Sequence, residues 1–416
     1  MMQEFDRPRV AVTGLGLVSP LGNTVESSWE RMVAGQIGIS SLQTPFRYQG
    51  EDRIFVAGQV QHFSQDIINP KQARRTDTSA LYSLAATFEA LNQAGLWQDG
   101  RLVNVKPDQI GAKIGTGFGG AINVVDVYNA LKTDTNLQRL YALVVEPERV
   151  ATVPSMAFNL KNSASSAVAA CATGGINLLE GYNKIVLGQA EVIVAGSSEA
   201  VLRPETYAIY DQARALSRNE DPNFASTPFD KDRSGFVVAE GAGILVLENM
   251  NHAQARGANV LAELVGVAES SDAFNETAPS GEGAVRAMRK ALQMADLQPS
   301  DVDYINAHGT GTSLGDKIEL SSIETVFGPH ALNIPISSVK WQFGHMIGAA
   351  ASAEAVAVVQ MINQGLIIPN VGLRTPLRDD LYLPKEFLKQ EVNIAMKNSF
   401  GFGGINSVML LKKFNG

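Results

Sequence analysis

Short β-branched runs alternate with Ala/Leu/Met-rich stretches of helical length along the chain, and that alternation confines it to an α/β architecture. Val10–Thr13, Ile110–Gly115, Val192–Ala195, Gly243–Glu248, Asp303–Ala307, Ile336–Val339 and Val408–Lys412 read as strands. Asp77–Ala94, Thr173–Leu187, Gly283–Ala295 and Ala349–Asn363 read as helices. The pattern also echoes itself. In the first half Cys171 opens a small-residue helix (CATGG) that leads to EVIVAG, and in the second His345 opens HMIGAAASAEAVAVVQMINQG, which leads to IIPN. An internal duplication accounts for the echo and brings two helix N-termini to one site.

Composition sets the outer limits. The 416 residues are 45% hydrophobic and 18% charged, ordinary for a globular protein, and at roughly 150 residues per domain they make two or three units. Lys+Arg 34 against Asp+Glu 42 gives a net charge of −8, which disfavours a broad nucleic-acid-binding surface and requires any anionic partner to meet a local basic patch. A single cysteine cannot form an intramolecular disulfide. MMQEFDRPRVAVTG has no basic segment followed by an apolar one, so no signal peptide is expected. Apolar stretches are broken well before the ~18 residues of a membrane span, and the expected setting is cytoplasmic.

Cys171 lies in SSAVAACATGG, where small residues permit a tight turn into a helix. A thiol at a helix start gains thiolate character from the dipole and the free N–H groups, although a lone cysteine is more often a buried structural residue. Other segments change that balance. His308 follows a strand in YINAHGTGTSLGDKIE, and SSVKWQFGHMIGAA places Lys340 and His345 five residues apart. Of five histidines, two therefore sit in Gly-rich strand-to-helix corners. NSFGFGGIN presents a Gly-rich loop suited to an anion or oxyanion site. No GxxxxGK[ST] phosphate loop is present, and GTGFGG (Gly115–Gly120) lacks the continuation of a dinucleotide fingerprint. The glycines flanking the two histidines offer no third ligand at metal spacing, so no metal is expected.

Taken together, VAVTGLGLVSPLG, IGTGFGG, ACATGG, TPFDKDRSGFVVAEGAGILVLE, NAHGTGTSLGDKIE, SVKWQFGHMIGAAASAE and NSFGFGGIN resemble, in order and essentially end to end, the β-ketoacyl-acyl-carrier-protein synthases, most of all the elongating synthase II type. The resemblance implies a duplicated, five-layered α/β/α/β/α thiolase-like fold, with residues 1–253 as the half carrying the cysteine and 254–416 as the half carrying His, Lys and His. It implies a dimer, usually of identical chains, acting on acyl groups carried on the phosphopantetheine of acyl carrier protein, with no cofactor of its own. By motif, Cys171 becomes the acyl-accepting nucleophile. His308 and His345 become donors to the malonyl thioester carbonyl, Lys340 a supporting charge and Glu354 its partner. The N–H groups of Cys171 and Phe402 become the oxyanion hole, with the Phe402 side chain as a gate. Thr310 and Thr312 match pantetheine contacts, and Phe118 matches the floor of the acyl pocket. Lys71, Arg74 and Arg75, spaced to share part of a helical face, and Arg214 match carrier-docking positions.

The chain departs from the family pattern at Trp341, Ile405, Ala351 and Ala169. None removes a reactive group, but Trp341 and Ile405 add bulk expected near the site. A non-catalytic chain-length-factor-like subunit is the main rival, and such subunits typically lack the cysteine. A thiolase needs a second cysteine, and a cysteine protease an Asn or Asp orienting its His. Fatty acid, aryl-polyene and polyketide pathways all suit the pattern.

Overall fold

In the computed structural model, residues 7–43, 45–48, 50–64, 75–135 and 141–416 are described. Ten of their strands carry the architecture: β1 (Val10–Val18), β2 (Ile110–Gly115), β3 (Ala164–Ser165), β4 (Val192–Glu199), β5 (Gly241–Asn249), β6 (Ala262–Ser271), β7 (Tyr304–Asn306), β8 (Ile336–Ser337), β9 (Ile394–Gly401) and β10 (Ile405–Lys412). Six helices connect them: α1 (Thr78–Gln93), α2 (Arg149–Phe158), α3 (Thr173–Val186), α4 (Glu282–Met294), α5 (Gly315–Phe327) and α6 (Ala350–Gln364). In chain order both halves read β-α-β-α-β-α-β-β.

Strand order makes the duplication explicit. The sheet runs β8-β7-β9-β10-β6-β1-β5-β4-β2-β3, so outward from the centre one half reads β1-β5-β4-β2-β3 and the other β6-β10-β9-β7-β8. Directions match as well. β1 and β5, and β5 and β4, are antiparallel while β4, β2 and β3 are parallel, and β6, β10, β9, β7 and β8 repeat this. The halves meet where Ala11 and Val12 pair with Glu263 and Ala262.

Helices fill the layers between and outside the two halves of the sheet. α1 covers β1, β4 and β5 from outside, and α4 covers β6 and β10 with α5 beside it. α3 and α6 touch strands of both halves and form the middle layer. Apolar contact on two faces explains the composition of α6, AASAEAVAVVQMINQ, which is buried nearly all round. Within it Glu354 is only 2% exposed, so a carboxylate sits in the centre of the molecule.

Several elements exceed or escape the expectations from sequence. β1 runs on to Val18 through Gly14 and Gly16, because α1 packs directly on those glycines. β3, β6, β9, α2 and α5 carry no such signal in the sequence reading. β9 reads IAMKNSFG, and its Lys397, Asn398 and Ser399 resemble a surface loop although all three are buried. Among the described residues no helix is long and apolar enough to cross a membrane.

A Cβ placed on Gly16 would lie 1.8 Å from the Ala86 carbonyl oxygen of α1. Gly16→Ala is therefore expected to lower the unfolding free energy by at least about 1–3 kcal/mol, the usual cost of overpacking, read as a lower denaturant midpoint. An unchanged midpoint would contradict this close helix–sheet contact.

Candidate active site

The reactive groups converge where the middle helices begin. Ala170–Ala172 forms a tight turn that leads into α3, and Ile347–Ala349 forms the matching turn before α6. Ala170 and Ile347, the first residues of these turns, both have φ 47°. That conformation is strained for side chains larger than glycine, more so for a β-branched one, and such strain concentrates at functional sites. The first turns touch, since a Cβ on Gly174 would lie 2.6 Å from the Ser352 amide nitrogen, and Ser197 of β4 is fixed to the α6 start with its Oγ 2.6 Å from Ser352 Oγ.

Cys171 is buried, with His345 Nε2 3.0 Å from its sulfur. The His345 backbone is fixed to the Val237–Ala239 segment, its N–H donating to Val237 and its carbonyl accepting from Ala239. His308 follows β7, and its ring lies 5.5 Å from that of His345 at 81°. Glu319 on α5 holds the turn by accepting the N–H groups of His308 and Gly309 at 2.8 and 2.7 Å. Asp316, one turn earlier, accepts those of Thr310 and Gly311. Thr310 and Thr312 share a hydroxyl hydrogen bond of 3.1 Å.

Behind this surface lies a buried charge network. Lys340 Nζ is 2.5 Å from Glu354 Oε1 and donates to the His308 carbonyl at 2.6 Å. Lys397 Nζ, fully buried on β9, is 2.7 Å from Glu354 Oε2. Burial, reinforced by the charges of Lys340 and Lys397, drives both imidazoles well below the usual histidine range, so each is neutral at pH 7. Burial also pushes the Cys171 thiol up to about 12, against the pull of the Lys340 charge and the Phe402 amide. Burial therefore outweighs the thiolate character that the helix start lends. The resting pair is a thiol against a neutral imidazole.

Phe402 begins the turn Phe402–Gly404 between β9 and β10, with its N–H toward the Cys171 sulfur. A Cβ on Gly401 would lie 3.3 Å from the Cys171 nitrogen, so the glycine keeps the space near that N–H open. Cys171, His308, His345, Thr310, Thr312 and Phe402 line one cavity of about 260 Å³, and exposed Arg214 stands on its wall. Phe118 packs edge-on to Tyr210 at 6.3 Å, and Tyr210 meets both Phe236 and Phe402. Glu199 anchors the Phe118 loop, accepting N–H groups from Gly117, Phe118, Gly119 and Gly348.

Other residues fall elsewhere. Arg75 is exposed just before α1, while Lys71 and Arg74 lie outside the described residues. Trp341 packs on Gly372 and does not line the cavity, and Ile405 packs behind the cysteine turn on Ala169, Ala172 and Ile176. Lys397, Glu319 and Asp316 escaped the sequence reading, although the two carboxylates stand in the quoted motif GDKIE.

The fold also supplies the third ligand atom that sequence spacing lacked, since donor atoms of Cys171, His308 and His345 lie within 4.8 Å of one another. The fit to a metal is nevertheless poor. Tetrahedral zinc sets a thiolate and an imidazole nitrogen about 3.5 Å apart. Here they stand at 3.0 Å, a hydrogen-bond distance, with the Lys340 ammonium close behind the turn that carries His308.

Comparison with known proteins identifies the family. The family model described as "Beta-ketoacyl synthase, N-terminal domain" matches residues 7–253, and "Beta-ketoacyl synthase, C-terminal domain" matches 261–374. A "3-oxoacyl-[acyl-carrier-protein] synthase 2" of Synechocystis sp. is 38% identical, with 99% of this chain and 100% of that protein covered. One of the same name from Staphylococcus aureus is 36% identical, with 98% of each covered. Among solved structures, a type II polyketide-synthase acyl-carrier protein in complex with its ketosynthase matches with TM-score 0.88 and 30% identity over 99% of this chain and 100% of that one. The ishigamide ketosynthase/chain length factor matches with TM-score 0.87 and 30% identity over 98% and 100%. With both family models matched, near-full-length relatives and the repeated fold in agreement, this chain belongs to the β-ketoacyl synthase family.

Proposed function

We propose that the chain is a β-ketoacyl-acyl-carrier-protein synthase in which Cys171 carries the acyl group through a decarboxylative condensation. The observation that carries the reading is the 3.0 Å contact between His345 Nε2 and Cys171 Sγ, with His308 in the same cavity. A thioester exchanges its acyl group with the Cys171 sulfur, releasing the carrier thiol, whose proton comes from Cys171. The malonyl thioester then loses CO2, leaving its electron pair as an enolate. Neutral His308 and His345 suit donation to that enolate oxygen, because charge develops there in the transition state. The enolate carbon attacks the acyl carbon, the N–H groups of Cys171 and Phe402 hold the resulting oxyanion, and the Cys171 thiolate leaves and is reprotonated. Lys340, paired with Glu354, supplies the positive field.

Thr310 and Thr312 are assigned to the pantetheine arm because their hydroxyls line the cavity beside Cys171. The substrates ride on acyl carrier protein, and the chemistry calls for no metal or redox cofactor. We assign the carrier dock to Lys71, Arg74, Arg75 and Arg214, supported by the exposure of Arg75 and of Arg214 at the cavity. The halves divide at 1–253 and 254–416, and a cytoplasmic setting keeps the nucleophilic thiol reduced. A chain-length-factor-like role would leave the pairing of Cys171 with His345 without a use.

Turnover of acyl- and malonyl-carrier protein separates the roles. Cys171→Ala is expected to abolish β-ketoacyl product. His308→Ala and His345→Ala should still accept an acyl group yet lose ~10²–10³ in malonyl decarboxylation, the scale of one oxyanion donor. Lys340→Ala should disturb both halves. Normal malonyl turnover by His308→Ala would contradict its role.

Chain length is testable at Phe118, whose ring joins Tyr210 and Phe236 in an aromatic cluster next to His345. A benzyl group at the pocket floor disfavours long chains by ~1–3 kcal/mol, or roughly ten- to a hundredfold. Phe118→Ile is expected to extend the range of acyl chains accepted, with short-chain rates much less affected. Equal loading of sixteen-carbon and short chains by the wild type would contradict the assignment.

A further inference from the structure

A second lysine stands in the site without a part in the reaction as derived. Lys397 lies on β9 opposite Asn306 of β7, two residues before His308, and three residues ahead of Phe400 in the strand that leads to the Phe402 turn. Its side chain is 0% exposed and cannot meet a substrate. Its ammonium faces Glu354 Oε2 at 2.7 Å, donates to Ser399 Oγ at 2.9 Å and also donates to the Asn398 carbonyl. Glu354 thus lies between two ammonium groups, one at each oxygen. Burying an ammonium costs several kcal/mol before pairing, so a lysine here answers to a demand that a neutral residue does not meet.

The demand is electrostatic. If Glu354 faced Lys340 alone, the pair would be close to neutral and its field at the cavity would be small. Shared between two lysines, the carboxylate leaves part of the Lys340 charge uncancelled. Glu319 is the other carboxylate of the cluster, and it is engaged by the N–H groups of His308 and Gly309 and by Asn398 Nδ2. The charge of Lys397 acts on both imidazoles, holding them below the usual histidine range together with Lys340.

Resting on the condensing reading above, we propose that Lys397 is a positioning residue of the malonyl half-reaction, acting through Glu354 to keep the Lys340 charge available behind His308 and His345. Lys397 is surrounded by Glu354, Lys340 and Glu319, and burial lowers its pKa to about 8, with Lys340 adding to the shift and Glu354 opposing it. The group is charged below that pH and neutral above it. The field is therefore present at neutral pH and fades as pH rises through about 8.

The test uses the whole enzyme with malonyl-carrier protein and, separately, acyl-carrier protein. Lys397→Met should slow decarboxylation by on the order of ten- to a hundredfold, the scale of removing one charge at an effective dielectric near 20, while acylation of Cys171 falls far less. The wild type should lose decarboxylation above about pH 8, and Lys397→Met should lack that limb. Lys397→Ala should regain decarboxylation with methylammonium chloride and not with tetramethylammonium chloride, which keeps the role testable if the methionine variant folds poorly. Parallel loss of both half-reactions with no amine rescue, or decarboxylation within twofold of wild type, would overturn the proposal. A wild type that neither acylates nor decarboxylates would instead overturn the condensing reading on which it rests.

Discussion

A single carboxylate in the middle layer, Glu354, ties together the segments of the second half that face the Cys171 sulfur. It sits on α6 between the two halves of the sheet, 2% exposed, where an unpaired ion would not persist. Lys340 and Lys397 approach its two oxygens from the segment before α6 and from β9. Lys340 in turn reaches the His308 carbonyl. One buried anion therefore couples the His308 turn, the Lys340 turn, α6 and the strand leading to Phe402. Removing one partner of such a network typically costs 3–5 kcal/mol, because the charge left behind stays buried.

Duplication explains how these segments meet, and its asymmetry explains the chemistry. Each half feeds its middle helix through a tight turn whose first residue has φ 47°. After Ala170 comes Cys171, and after Ile347 comes Gly348, so only the first half keeps a nucleophile at the matched position. The second half supplies His345 two residues ahead of its turn and His308 at the end of β7. Because the middle helices touch at Gly174 and Ser352, the histidines of one half arrive over the sulfur of the other.

Much of this was legible in the sequence because interior strands are marked by β-branched runs and the reactive residues by their Gly-rich corners. What was not legible shares one cause. β9 carries Lys, Asn and Ser into the interior, where a buried polar strand looks like an exposed loop until its partners are known. Lys397 was hidden for that reason, and Glu319 and Asp316 were hidden because the backbone amides they accept come from the turn itself. Likewise, the thiol setting depends on desolvation, which opposes the helix-start effect and is invisible in the motif. Trp341 and Ile405, expected to add bulk near the site, pack on Gly372 and on the residues flanking Cys171, and neither lines the cavity.

The central claim is that the buried Cys171 sulfur, beside His345 and the Phe402 amide, is the atom that receives the acyl group. The most direct measurement is intact-mass and peptide mass spectrometry of the protein after incubation with an acyl-carrier protein thioester. The account predicts one acyl group per chain on the peptide carrying Cys171, and none on Cys171→Ala. An acyl group found on another residue, or retained by Cys171→Ala, would contradict it.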